Sequence, residues 1–123
     1  MASDHQSTQQ RRRKAHADLR ALTFQPLMRG SLYERSRKCG RKNCACAKDP
    51  EALHRGWYLT VQLDGRTCGL HVRSEDVERV RAAVAAYERL WSAVNELTAC
   101  EVSDLRRESR ERRRARRRSA DGA

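Results

Sequence analysis

The sequence is short of the residues that build a large apolar core. Of its 123 residues, 38% are hydrophobic and 5% aromatic, with a single phenylalanine. No apolar run approaches the roughly 18 residues of a transmembrane helix, and the polar start, residues 1–10, lacks the apolar stretch of a signal peptide. We therefore expect a cytoplasmic protein with one compact domain and no membrane partner. A domain with so small a core needs a further source of stability, such as a disulfide or a structural metal.

Common signatures of an active site are also missing. The sequence has no glycine-rich phosphate-binding loop, no activated nucleophile and no carboxylate pair spaced for acid–base catalysis. Five acids are predicted to face solvent on a helix: Glu75, Asp76, Glu78, Glu88 and Glu96. Charged residues are ordinary on such a face. These absences predict a protein that is not an enzyme.

Negative charge is scarce relative to positive charge. Lys and Arg number 27 against 16 Asp and Glu, which gives a formal net charge of +11. Residues 106–118 alone contain nine arginines and two glutamates. A cationic excess concentrated in this way indicates a polyanion partner, and we expect nucleic acid, either DNA or RNA.

A cysteine cluster is the most specific feature that the sequence does contain. Cys39, Cys44 and Cys46 lie within eight residues, and His54 follows with the overall spacing Cys-x4-Cys-x-Cys-x7-His. Three thiolates and one imidazole are the donors of a closed tetrahedral site, so the spacing predicts a structural Zn²⁺. The basic, nearly apolar-free surroundings argue against cysteines packed as small hydrophobes. We call these four residues the Cys/His cluster.

The fourth ligand of this site stays open. Cys68 or His71 could replace His54, since a hairpin could fold either one back to the loop, whereas Cys100 is predicted to be inert. An iron–sulfur cluster usually takes four cysteines and a redox pair is usually Cys-x-x-Cys, so both are disfavoured.

The middle of the chain predicts a small antiparallel sheet of about three strands. Residues 31–36, 57–63 and 66–72 are rich in strand formers, and Asp64-Gly65 is typical of a type I′ hairpin turn. From residue 77 to residue 94, apolar residues recur at spacings of three and four, which predicts a long C-terminal helix packed on one face of the sheet. The fold class is therefore α+β, with a Cys-rich metal-binding loop between the first two strands.

Three segments follow from this pattern. Residues 1–27 form a basic segment that is partly helical (a helix is expected over 9–22) or disordered, residues 28–105 form a zinc-stapled α+β domain, and residues 106–123 form an Arg-rich tail. The long helix is expected to loosen near Cys100, although the arginine-rich segment to Arg118 could continue helically. Residues 1–10 and 119–123 are expected to be disordered. Packing on the sheet explains most of the apolar stripe. The helix past Val94 has little sheet left to cover, which leaves a homodimer through the helix at residues 75–98 as a possible use of it.

Nucleic acid is expected to contact two sets of basic residues. The basic loop group is Arg35, Arg37, Lys38, Arg41 and Lys42, and the arginine tail is Arg112, Arg113, Arg114, Arg116, Arg117 and Arg118. The loop group would meet phosphates, and the tail would add affinity that is independent of sequence. Tyr33 and Tyr58 could stack on exposed bases, whereas Trp57 is expected in the core.

Several of these residues resemble a known family. Gly30-Ser31-Leu32, the stretch 39–47, the stretch 54–58, the hairpin and the long helix are similar to an uncharacterised group of small prokaryotic proteins, named as a domain of unknown function. Some of its members look associated with mobile elements. The similarity spans residues 28–98, although the family's His-Gly-Pro-Tyr-Tyr is His-Arg-Gly-Trp-Tyr here. The resemblance implies a shared fold and metal site, and no activity.

We therefore predict a non-enzymatic, zinc-binding nucleic-acid-binding protein, an accessory factor of a mobile element or a regulator. The alternative is a protein-interaction module that docks or dimerises through its long helix, with the metal only as a fold staple. A metal-free thiol redox protein is the least favoured interpretation.

Overall fold

The structure, a computed structural model, describes residues 2–122 of the chain, with side chains from residue 6 onward. Within this range it contains two α-helices and one antiparallel sheet of three strands: α1 (Ala2–Leu22), β1 (Gly30–Arg37), β2 (His54–Leu63), β3 (Arg66–Val72) and α2 (Val77–Asp121). The predicted α+β class, with its small sheet and long C-terminal helix, is confirmed. Across residues 2–122, no helix has both the length and the apolarity to cross a membrane.

The sheet has the order β1-β2-β3, so β2 is the central strand. The predicted hairpin joins β2 to β3, and both of its turn residues have positive φ, 51° at Asp64 and 77° at Gly65. A type I′ turn requires this conformation, which matches the right-handed twist of the strands. β2 begins at His54, three residues earlier than predicted, because it pairs with β1 as far as Arg37.

Contacts divide the residues into two compact units. The sheet unit is Gln25–Glu88, and the helical unit comprises the residues up to Phe24 and those from Arg89 onward. The helix α2 therefore contributes its first turns to the sheet unit and the rest of its length to the helical unit. The three segments expected from the sequence, residues 1–27, 28–105 and 106–123, stay a prediction.

The core of the sheet unit lies between one face of the sheet and the start of α2. Leu59, Val72, Val77 and Val80 are buried there, and the side chains that pack against them are Met28, Leu32, Trp57, Val61 and Val84. Since strand side chains alternate between faces, the odd residues of β2 point to this core and the even ones to the opposite, open face. Trp57 belongs to the core side, as expected from the sequence.

The helical unit is an antiparallel pair formed by α1 and the later part of α2. The Cys100 thiol donates to the Thr8 carbonyl over 3.7 Å, and the Arg12 guanidinium lies 2.5 Å from the Asp104 carboxylate. Arg11 forms an ion pair with Glu96. The buried side chains of the unit are Thr8, Ala15, Leu22, Ala93 and Cys100.

This helix pair corrects three expectations about the ends of the chain. Residues 2–10 are helical, α2 continues through Cys100 without a break, and it ends at Asp121. The expected disorder at 1–10 and 119–123 was therefore wrong for 2–10 and 119–121, and Met1 and Ala123 lie outside the described residues. Contacts with a partner helix provide stabilisation that short or highly charged helices lack on their own.

The Arg11–Glu96 pair makes part of the stability of the helical unit depend on pH. The hydrogen bond from Arg11 lowers the pKa of Glu96, and the same bond raises the pKa of Arg11. A carboxyl group whose pKa is lower in the folded state stabilises folding above its unfolded pKa of about 4.3, and this stabilisation is lost as pH falls through the folded value. We expect Glu96→Gln to lower the melting temperature at pH 7, and the difference from wild type to shrink as the pH falls below about 4.3.

Thermal melts followed by circular dichroism between pH 3 and pH 7 measure this difference. Glu88→Gln, at an exposed position of α2, is the control and should differ little from wild type at any pH. A difference for Glu96→Gln that is constant across the range would contradict the prediction.

Candidate metal centre

The first half of the loop between β1 and β2 folds back on itself through two tight turns. Gly40 has a φ of +85°, a conformation that glycine adopts without steric cost, so the chain turns immediately after Cys39. The backbone N–H of Cys44 donates to the Arg41 carbonyl over 3.4 Å. A single 3₁₀ turn, Ala45–Ala47, follows directly. These turns bring three thiols that are separate in sequence into one small volume.

The second half of the loop returns the chain to the sheet. Asp49 caps a 3₁₀ turn, Pro50–Ala52, by accepting a hydrogen bond from the Glu51 N–H over 2.9 Å. β2 then begins at His54, which pairs with Arg37. The position of His54 is therefore fixed by the register of the sheet and not by the loop alone.

All four donor atoms of the Cys/His cluster lie within 4.8 Å of one another. The Sγ atoms of Cys39 and Cys46 are 3.5 Å apart, and Cys44 Sγ lies 3.2 Å from His54 Nε2. In a tetrahedral site with metal–sulfur bonds of about 2.3 Å, donor atoms are separated by about 3.8 Å. The donor set thus fits a single tetrahedral ion and is consistent with zinc.

The thiols of the cluster differ in burial and in acidity. Cys46 is 1% exposed, whereas Cys39 and His54 are exposed. Hydrogen bonds lower the pKa of Cys44, the largest contribution coming from the backbone N–H of Cys46. At Cys46, the backbone N–H of Cys39 lowers the pKa, but burial and the adjacent thiols outweigh it and raise the pKa. Of Cys44 and Cys46, Cys44 is thus the more readily deprotonated to the thiolate, which is the form that binds a cation.

Neither alternative fourth ligand belongs to this cluster. His71 pairs with Tyr58, four residues along β2 from His54 or about 13 Å at strand spacing, and its ring contacts the Tyr58 ring edge to face. Cys68 pairs with Val61, still farther from the loop, and is exposed. The imidazole beside the thiols is that of His54, as favoured from the sequence. Binding of a metal by the four residues stays a prediction.

The two predicted basic sets lie in different units. Every member of the basic loop group is exposed, and Arg41 borders an open depression together with Cys39, Cys44 and His54. The arginine tail occupies the last turns of α2 in the helical unit, where it too is exposed. Their role in binding stays a prediction.

The open face of the sheet carries an arrangement that the sequence interpretation missed in part. Tyr33 and Tyr58 stack with ring centroids 6.1 Å apart, and His71 joins them on the far side of Tyr58 at 5.3 Å. We call these three residues the aromatic row. The position of His71 beside Tyr58 could have been predicted, because a two-residue turn at Asp64-Gly65 makes residue 58 pair with residue 71.

Comparison with known proteins identifies the family of the chain. The profile of a domain of unknown function, DUF6788, matches residues 5–82, from α1 through the sheet and its loop to the first turns of α2. The resemblance noted from the sequence began at residue 28, so the family also includes most of α1. No curated protein and no solved structure matches the chain. Because the matched range covers well over half of the sequence, this chain belongs to the DUF6788 family.

Proposed function

We propose that this protein binds nucleic acid without catalysing a reaction, through a basic loop stapled by Zn²⁺. The observation that carries the proposal is the convergence of three thiols and one imidazole within 4.8 Å in an exposed loop. The charged side chains of this loop are mostly cationic: Lys38, Arg41, Lys42 and Lys48 against Asp49 and Glu51. Its wider role, as an accessory factor of a mobile element or a regulator, is proposed from the family resemblance.

Zinc in the Cys/His cluster would be structural. Three Cys ligands and one His fill four tetrahedral positions, which leaves no position for a water or a substrate. When bound, the ion supplies positive charge that stabilises the thiolates and links the loop to the start of β2. Residues on this loop would then be held rigidly, and a fixed surface can contact a partner with less loss of conformational entropy.

Contacts to phosphate are the function that we assign to the basic loop group. Arg35 and Arg37 alternate along β1 and therefore lie on the same face of the sheet, and Arg41 and Lys42 lie in the turn between the first two cysteines. Cationic side chains of this kind gain affinity by releasing the counterions condensed on a polyanion. The arginine tail, with six arginines in seven residues, would extend this effect without reading sequence.

Exposed apolar side chains on α2 support a second candidate function, a protein-interaction module. Trp91 is 55% exposed and Leu105 is 61% exposed, both in the helical unit. Contiguous exposed apolar surface is typical of protein contacts, and single exposed apolar residues are ordinary. A homodimer through residues 75–98 would cover Trp91, and in that case the metal would serve only the fold.

Salt-dependent binding of nucleic acid tests the main proposal. We expect a fluorescence anisotropy titration to show affinity that falls linearly with the logarithm of salt concentration. Arg41→Ala/Lys42→Ala should reduce the slope by about 1.5, since each lost phosphate contact contributes roughly 0.7–0.9. The matched control is Arg66→Ala/Arg79→Ala, which removes two charges of the sheet unit that lie outside the loop and should leave the slope nearly unchanged.

Two results would contradict the proposal. One is negligible affinity for DNA and RNA at low salt, which would favour the interaction module. The other is an equal slope for both double variants, which would assign binding to net charge instead of to the loop.

A further inference from the structure

The open face of the sheet presents aromatic rings beside guanidinium groups. The aromatic row crosses all three strands, because Tyr33 pairs with Tyr58 and Tyr58 pairs with His71. The Arg37 guanidinium lies over the Tyr58 ring, 5.5 Å from its centroid. Arg35 alternates with Arg37 on β1 and so points to the same face.

Packing of the core does not account for these rings. The buried cluster around Leu59 lies on the other face of the sheet, where α2 begins. Tyr33 is 40% exposed and His71 is exposed. The polar contact of the Tyr33 hydroxyl is with Thr60 on the same open face, at 3.3 Å. The row is thus an accessible aromatic surface on a rigid support, four residues along β1 and β2 from the ends of these strands at the loop, Arg37 and His54.

Gly56 allows the row to form as it does. A Cβ at this position would lie 3.2 Å from His71 Nε2, so the imidazole would have to shift by a few tenths of an ångström, and it would be in ordinary contact with the Tyr58 ring at 3.4 Å. The absence of a side chain leaves room for His71 to pack edge to face against Tyr58. It also keeps the surface between Arg35 and His71 free of projecting atoms, since Gly56 pairs with Arg35.

We propose that the open face of the sheet is a stacking platform that selects single-stranded over double-stranded nucleic acid. This inference rests on the proposed nucleic-acid binding and names the class of ligand. Unpaired bases expose π faces that stack on Tyr and His rings or on guanidinium planes, whereas the bases of a duplex are already stacked. The phosphates of the same strand would meet Arg35, Arg37 and the basic loop.

The platform explains why rings and cations occur together here. A site for phosphates alone needs cations but no aromatic surface, whereas a site for a single strand uses both, rings for the bases and cations for the phosphates. Stacking is also tolerant of base identity, because every base has a π face. The expected ligand is therefore a short single strand bound with little sequence preference.

A comparison of the affinities for single-stranded and double-stranded nucleic acid tests the platform. The full-length, zinc-loaded protein is titrated into labelled ten-nucleotide oligouridine and oligothymidine and into a ten-base-pair DNA duplex. We expect the single strands to bind roughly tenfold more tightly or better. Tyr58→Leu, which keeps an apolar side chain but removes the ring, should weaken single-strand binding roughly 5- to 150-fold and leave duplex binding unchanged.

Two control variants separate stacking from packing. Tyr58→Phe keeps the ring and should bind single strands within about twofold of wild type, since the π face is intact. Leu63→Ala removes an exposed side chain from the same strand on the opposite face, and it should behave as wild type.

The possible outcomes distinguish this inference from the function on which it rests. If duplex and single strand bind equally and Tyr58→Leu matches wild type, the platform is wrong while nucleic-acid binding stands. If no nucleic acid binds at all, both the stacking platform and the proposed nucleic-acid binding are wrong. Should Tyr58→Leu fail to fold, the ring protons of Tyr33 and Tyr58 in the wild-type protein decide: an upfield shift on adding oligouridine supports the platform, and unchanged shifts overturn it.

Discussion

Cys44→Ala is expected to abolish zinc binding and to unfold the loop between β1 and β2. The reason is that little else holds this loop. From Lys38 to Leu53, all of which the structure describes, Cys46 is the one buried residue. Structural zinc contributes roughly 10–16 kcal/mol to the folding of small zinc-binding peptides, so losing one ligand should remove more stabilisation than any apolar substitution.

Elemental analysis and thermal melting measure this effect together. Wild type should contain about one zinc per chain and should melt at a lower temperature once a chelator has removed the metal. Cys44→Ala should contain none and should not respond to the chelator. Amide spectra should show lost dispersion for residues 39–54, while the hairpin at residue 64 changes little.

Cys68→Ala is the matched control, because it makes the same chemical change at an exposed thiol on β3. It should retain one zinc and the wild-type melting curve. A Cys44→Ala protein that keeps its zinc and its melting temperature would exclude a structural metal at this site. Metal-free wild type with reactive thiols would instead favour the redox interpretation.

Leu59→Ala is expected to cost about 2–5 kcal/mol of unfolding free energy. Leu59 is 2% exposed and packs with Val72, Val77 and Val80 in the core of the sheet unit. Truncation removes apolar contacts and leaves a cavity that the central strand cannot easily close. The loss is a large share of the roughly 5–15 kcal/mol that stabilises an ordinary domain.

Urea denaturation followed by circular dichroism measures this cost. Leu63→Ala is the control, since it is the same substitution on the same strand at a position that is 57% exposed. It should change the free energy of unfolding by no more than about 0.5 kcal/mol. Equal effects of the two variants would mean that the sheet unit does not depend on this core.

Features governed by neighbours in sequence could be predicted from the sequence. Asp64-Gly65 determines the hairpin because its conformational preference is local, and the register of β2 and β3 follows from the two-residue turn. The Cys/His cluster was recognisable because its ligand types and spacing are specific to metal sites. Trp57 was assigned to the core from the alternation along β2.

Features that depend on distant contacts could not be predicted in the same way. The apolar stripe of α2 is interrupted by Thr98 and Glu101, so the pattern suggested that the packed helix loosens near Cys100. The structure continues the helix there because Cys100 meets Thr8 and Asp104 meets Arg12, each pair separated by 92 residues in sequence. Small and charged residues make these contacts, so the periodic apolar signal of α1 is confined to Ala15, Leu19 and Leu22, and it predicted the helix over 9–22 but not its first turns.

The position of His54 as the first residue of β2 has a consequence for how the sheet assembles. A slip of β2 by one residue against β1 would turn every side chain of β2 to the opposite face. His54 would then point away from the three thiols, and the aromatic row would be broken at Tyr58 in the same movement. An ion that requires all four donors would bind only the chain with the correct register. It would therefore stabilise correct strand pairing over a shifted one during folding.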